Sequence, residues 1–170
     1  CLAGPVVAAS VILKRPIYGL NDSKKISKNK RKDLASEIKK NSVYAICEVS
    51  PKKIDQINIH NASLLAMQKS ILELSIKPTK IKVDGKFLPK TNFPAEAFVG
   101  GDSFIDEISA ASIIAKVYRD DLMKSYDLIY PEYEFGKHKG YPTKIHLDAL
   151  QKFGPTKIHR RTFKGVINND

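Results

Sequence analysis

Residues 5–13, Pro-Val-Val-Ala-Ala-Ser-Val-Ile-Leu, constrain the fold more than any other stretch of the chain. The run is rich in Val and Ala, has no helical period and is closed by Lys14-Arg-Pro, so it reads as a largely buried β-strand. A strand of this kind needs neighbours in a sheet and helices against its faces. The sequence predicts both. Ser27 is placed to cap a basic helix over Lys28 to Lys40 whose Leu34, Ala35 and Ile38 share one face. Val43 to Val49 alternates as a second strand, and Ser50-Pro51 suits the cap and first residue of a short helix. Leu64, Met67, Ile71 and Leu74 recur at helical spacing within Ala62 to Leu74, which makes Met67 a core position.

Two short strands follow, Ile81 to Asp84 closed by Gly85 and Ala95 to Val99 closed by Gly100-Gly101. Ile108, Ala111, Ser112, Ala115, Val117 and Leu122 give a long helix from Glu107 to about Tyr126 a small, close-packing face. Thr143 caps a last helix that stops at Gly154-Pro155, and the tail from Lys157 is basic and irregular. The order of these elements predicts an α/β domain on a mixed β-sheet flanked by helices. Without a repeat or linker, residues 1–170 are expected to form a single domain, with the sheet and its helices in 1–130 and a C-terminal helical region for substrate in 131–170.

Lys and Arg number 29 against 18 Asp and Glu, a formal charge of +11, which favours a polyanionic partner over a neutral metabolite. Cys1 and Cys47 are too few for a disulfide framework or a zinc site, and the chain is expected to be cytoplasmic. No stretch approaches the roughly 18 consecutive apolar residues of a membrane span, so no membrane partner is expected. A first residue that is not Met, followed at once by the apolar run, suggests that something upstream is missing.

Phosphodiester hydrolysis without a covalent intermediate commonly uses divalent cations held by several carboxylates, which directs attention to acids at strand ends. Asp84 in Lys82-Val-Asp-Gly ends one strand and Asp102 in Gly100-Gly-Asp follows the next, so adjacent strands would bring both to one edge. Asp beside Gly is also ordinary turn chemistry, and Asp102 would equally suit a helix cap. Phe135-Gly-Lys-His-Lys-Gly-Tyr-Pro-Thr has the composition of a loop that meets a sugar-phosphate backbone, with Tyr141 offering a flat face. The alternative for Tyr141 is closure of the core edge. His159-Arg-Arg is a second basic cluster or a solvated tail, and Lys24 and Lys25 are phosphate contacts or merely exposed.

Taken in order, the segments 2–9, Gly19-Leu-Asn-Asp-Ser-Lys-Lys, Lys82-Val-Asp-Gly, Gly101-Asp, Ile108 to Val117, Arg119-Asp, Lys137-His-Lys-Gly-Tyr-Pro-Thr and Gly154-Pro-Thr with His159-Arg-Arg resemble the motifs of ribonuclease HII, the type 2 ribonucleases H. The resemblance implies a ribonuclease H-like fold with a five-stranded mixed sheet. It implies cleavage of RNA paired with DNA, including 5′ of a single ribonucleotide in duplex DNA, with magnesium or manganese. By motif match, Asp84 and Asp102 are catalytic metal ligands, and Tyr141 packs on the sugar beside the ribonucleotide. Ser23, Lys24, Lys25 and Lys139 become substrate-binding positions, and Asp120, His159 and Arg160 secondary ones. The enzyme is taken as a monomer.

Members of that family carry an Asp-Glu-x-Gly-Arg-Gly run just before the residues that match Cys1-Leu-Ala-Gly-Pro. The resemblance therefore implies that two catalytic acids and the central strand of the sheet are missing from this chain, and that the peptide alone is inactive. Ribonuclease HIII, less well matched by Lys139-Gly-Tyr-Pro-Thr, and a non-catalytic duplex-binding protein are the alternatives.

Overall fold

The structure is a computed structural model that describes residues 1–166. Its elements run, in chain order, β1 (Val6–Leu13), α1 (Lys28–Lys40), β2 (Ser42–Val49), α2 (Pro51–Leu72), β3 (Ile81–Asp84), β4 (Ala95–Phe98), α3 (Asp106–Ile129), α4 (Phe135–His138) and α5 (Lys144–Phe153). Short 3-10 turns occupy Gly101–Ser103 and Pro131–Tyr133. The chain is α/β, as its pattern requires, and it sorts into two compact units that interleave in sequence. One comprises residues 7–47 and 63–117, the other 1–6, 48–62 and the described chain over 118–166.

The first unit holds the sheets. β1 pairs with β2, and β3 pairs with β4 in parallel, as two separate two-stranded sheets instead of one continuous sheet. On one side, Leu34, Ala35 and Ile38 of α1 pack with Ala110, Ile113 and Ile114 of α3, and alternate β1 residues Ala9, Val11 and Leu13 join them. A separate cluster joins Ile71 of α2 to Ile81 and Val83 of β3, with Met67 packed beside it. Ser27 occupies the cap position of α1, but its side chain makes no cap bond; its carbonyl accepts the N–H of Arg31 instead.

Every residue of β1 is only half-buried, against the expectation of a largely buried strand. The reason is a groove of about 740 Å³ along its free edge. Val7 to Leu13 and Ile76 to Asp84 line it residue after residue. A strand face exposes alternate residues, so consecutive lining means that the groove runs along the edges of β1 and β3. Met67 and Ile71 of α2 and Ile108, Ala111 and Ala115 of α3 supply its apolar walls.

The second unit is helical. Leu2, Ala3, Met123, Tyr133, Phe135 and Leu150 form its core with Ile158 and Val166. Asn58, at φ 64 and ψ 167, breaks α2 into two helices, and its side-chain carbonyl caps the second by accepting the N–H of Asn61 at 3.0 Å. Thr143 caps α5 as expected, its side chain accepting from the N–H of His146. No helix among the described residues is long and apolar enough to cross a membrane.

Candidate active site

Parallel pairing matches Ile81 with Ala95 and Asp84 with Phe98, so β3 and β4 end at the same side of their sheet. The chain leaves β4 through Gly100, whose φ of 69 turns it into the 3-10 segment carrying Asp102. Two bonds then fix the geometry: Gly85 N–H donates to the Phe98 carbonyl at 2.9 Å, and Gly101 N–H donates to Asp84 Oδ1 at 3.0 Å. Gly101 is required by close packing, since a Cβ there would lie 2.7 Å from Ile108 Cδ1 and 3.1 Å from Phe98 Cβ. Asp84 is exposed and Asp102 half-buried.

Burial, then the neighbouring carboxylates of Asp84 and Asp22, raise the pKa of Asp102, while Lys24 and Lys25 oppose them. Asp84, Asp102 and the 22–25 loop therefore share one electrostatic neighbourhood. Helix α3 holds that loop: Ser109 Oγ donates to the Asn21 carbonyl at 2.8 Å, and the hydroxyls of Ser23 and Ser112 lie 3.0 Å apart. Ser23 is only 4% exposed, so its hydroxyl faces α3. Asp22 Oδ1 accepts the N–H of Lys24 at 2.9 Å, a local turn that leaves Lys24 and Lys25 exposed. Two adjacent hard oxygen donors whose repulsion raises one pKa fit a divalent cation, which would relieve that repulsion. Among the described residues no group of three or more His, Cys, Asp or Glu side chains is placed to hold a metal ion.

In the helical unit, Tyr141 is 50% exposed on a tightly held backbone. Its N–H donates to the His138 carbonyl at 3.0 Å, and its own carbonyl accepts from Thr143 N–H at 2.8 Å and faces His146 Nδ1 at 2.9 Å. Gly140, at φ 82, permits this, because a Cβ there would meet the Ala3 carbonyl oxygen at 2.5 Å. Lys139 is half-buried, and its amine donates to the Gly136 carbonyl. Asp120 is half-buried on α3, next to Arg119.

His159 and Arg160 do not form a solvated tail: they are 2% and 4% exposed. A bridge pairs Ala3 with His159, and Arg160 donates to the carbonyls of Gly4 at 3.0 Å and Pro5 at 3.4 Å. Arg119 donates to the carbonyls of Ala3, Pro5 and Lys139. Burial lowers the pKa of both arginines, that of Arg160 to about 10 with Arg119 contributing, yet at that value the guanidinium remains charged at neutral pH.

Sequence reasoning missed Asp22, Arg119, His138 and His146. Asp22 lay inside a recognised turn and Arg119 beside a recognised acid, so each had a signal; nothing local marked the histidines as a cluster.

The sequence profile described as Ribonuclease HII matches residues 1–166. Ribonuclease HII of Borreliella burgdorferi (strain ATCC 35210 / DSM 4680 / CIP 102532 / B31) is 52% identical over 168 residues, covering 96% of this chain and 93% of that protein. Ribonuclease HII of Borrelia hermsii (strain HS1 / DAH) is 53% identical over 170 residues, covering 98% and 94%. The crystal structure of ribonuclease H2 from Pyrococcus horikoshii OT3 superposes with a TM-score of 0.82 at 28% identity, covering 97% of this chain and 89% of that one.

Proposed function

The chain belongs to the ribonuclease HII family of nucleases, and from that premise we propose that it is built to cut the RNA strand of RNA-DNA hybrids and the 5′ side of a single ribonucleotide in duplex DNA. The observation that carries this reading is the meeting of Asp84, at the end of β3, with Asp102, in the turn that follows the paired parallel strand β4, where burial and then the Asp84 carboxylate raise the pKa of Asp102. Asp84 and Asp102 would hold magnesium or manganese. Such an ion activates water and neutralises charge on the phosphate as the bond breaks.

The protein's own groups divide the remaining work. Lys24 and Lys25, exposed on a loop held by α3, are offered as phosphate contacts that position the strand without reading its sequence. Ser23 positions that loop through Ser112. Tyr141 presents its ring to a sugar, where the 2′-hydroxyl separates RNA from DNA. Lys139 and Arg160, both bonded to backbone carbonyls, shape the Tyr141 loop and the segment before β1. His159 and Asp120 are supporting positions in the same unit.

The groove between β1 and β3 is taken to receive one more strand. Two strand edges and apolar walls suit a strand buried on both faces, and an Asp-Glu-x-Gly-Arg-Gly segment would supply it together with further acids. The chain alone is then expected to be inactive. An extended chain, with that segment placed before Cys1, is the form to test. Given magnesium, it should cut a duplex holding one ribonucleotide and leave all-DNA duplex intact; cutting by the 170-residue chain alone at a comparable rate would overturn the groove assignment. Equal cutting of both duplexes by the extended chain would overturn the substrate reading.

A further inference from the structure

Three histidines lie together in the helical unit: His138 and His146 stack at 4.5 Å between ring centroids, and His146 Nε2 lies 3.0 Å from His159 Nε2. Two imidazole nitrogens at that distance bond only if one carries a proton and the other does not. The surrounding backbone decides which. Thr156 N–H, a donor only, points at His159 Nδ1 at 2.9 Å, so that nitrogen is bare and the proton sits on Nε2. His159 Nε2–H therefore donates to His146 Nε2, which must be bare. The proton of His146 is then on Nδ1, 2.9 Å from the Tyr141 carbonyl, to which it donates. His138 is fixed separately: Gly140 N–H donates to its Nδ1 at 3.1 Å, leaving Nε2–H for the Tyr133 carbonyl at 2.7 Å.

The bonds thus run one way, from Thr156 N–H through His159 and His146 to the carbonyl of the half-exposed Tyr141. We propose that the His146–His159 pair is a positioning device for Tyr141, locking the peptide that carries its ring by means of a fixed order of imidazole tautomers. The assignment of the ring to a sugar rests on the function proposed above; the locking does not.

Several features make the device robust. Both rings are enclosed, His146 at 0% and His159 at 2% exposure, with Phe135 edge-on to His146 at 5.4 Å. Burial lowers the pKa of His146, and that of His159 to about 4, which favours the neutral form of both rings. The neutral pair carries one proton on each ring; a third would leave two N–H groups facing each other, or force His159 away from Thr156 N–H.

The test uses the 170-residue chain. Nitrogen NMR of the imidazoles should show His159 and His138 protonated on Nε2 and His146 on Nδ1. The Tyr141 carbonyl-carbon shift and the ring's order parameter should change in His146→Phe, which keeps an aromatic ring and loses the donor. They should be preserved in His146→Asn, whose amide can stand where Nδ1–H stood. His146 protonated on Nε2, or Tyr141 equally ordered in all three proteins, would overturn the proposal. Binding separates this from the sugar assignment. Preference for a ribonucleotide-containing duplex over all-DNA duplex should fall about three- to tenfold in His146→Phe, and at least as far in Tyr141→Ala. Unchanged preference in Tyr141→Ala, with the NMR results as stated, would sink the sugar assignment and leave the locking supported.

Discussion

Asp84 Oδ1 accepts the backbone N–H of Gly101 at 3.0 Å, so the acid that ends β3 is tied to the residue just before Asp102. The spacing of the two carboxylates is thereby set by the turn as well as by strand pairing.

Gly101→Ala should disturb that tie directly. The added Cβ would lie 2.7 Å from Ile108 Cδ1, and overpacking at such a site costs about 1–3 kcal/mol. Chemical denaturation should show a loss of that size, accompanied by weaker divalent-ion binding. Wild-type stability would mean that Ile108 moves aside freely.

Magnesium or manganese should stabilise the chain by binding the folded state. Thermal unfolding should move upward with added ion, and Asp102→Asn or Asp84→Asn should each remove most of that shift. A shift that survives in both variants would place the ion elsewhere.

Acid should loosen the histidine cluster. His159 gains its proton near pH 6.5 when unfolded but only near pH 4 when folded, so the unfolded state binds more protons in between. Its contribution to stability is complete above 6.5 and is lost as pH falls toward 4, on the order of 2–3 kcal/mol. The drop in denaturation midpoint from pH 7 to pH 4.5 should be smaller in His159→Gln than in the parent. Parallel profiles would contradict the buried neutral ring.

Arg119→Lys should free the chain before β1. One guanidinium holds the carbonyls of Ala3, Pro5 and Lys139, and a single amine cannot reproduce that fork. Hydrogen exchange should rise at residues 2–4 and 139–141 with α5 unchanged; unaltered exchange would show that Arg160 suffices.

The acidic pair was legible in the sequence because turn signals and strand ends coincide: the apolar run at Ile81 stops at Asp84-Gly85, and that at Ala95 stops before Gly100-Gly101. Burial of His159 and Arg160 was not legible. Their partners, Ala3, Gly4 and Pro5, lie at the opposite end of the chain, and no local pattern separates a basic residue bonded to distant carbonyls from a solvated one. Ser23 was read as a substrate-binding position, and its burial against Ser112 was not legible for the same reason, since that partner is 89 positions away. The half-burial of β1 follows from its unpaired edge, a property of the sheet that its own Val and Ala residues do not encode.

We propose that Asp84 and Asp102 hold the metal that cuts RNA. This is tested most directly by cleavage of a duplex with one ribonucleotide, using the extended chain and its Asp102→Asn variant at saturating magnesium. The parent should cut 5′ of the ribonucleotide, and the variant should bind the duplex comparably while cutting at least about a hundredfold more slowly, the loss of on the order of 3 kcal/mol expected when transition-state charge stabilisation is removed. A variant that binds normally and cuts at the parental rate would contradict the account.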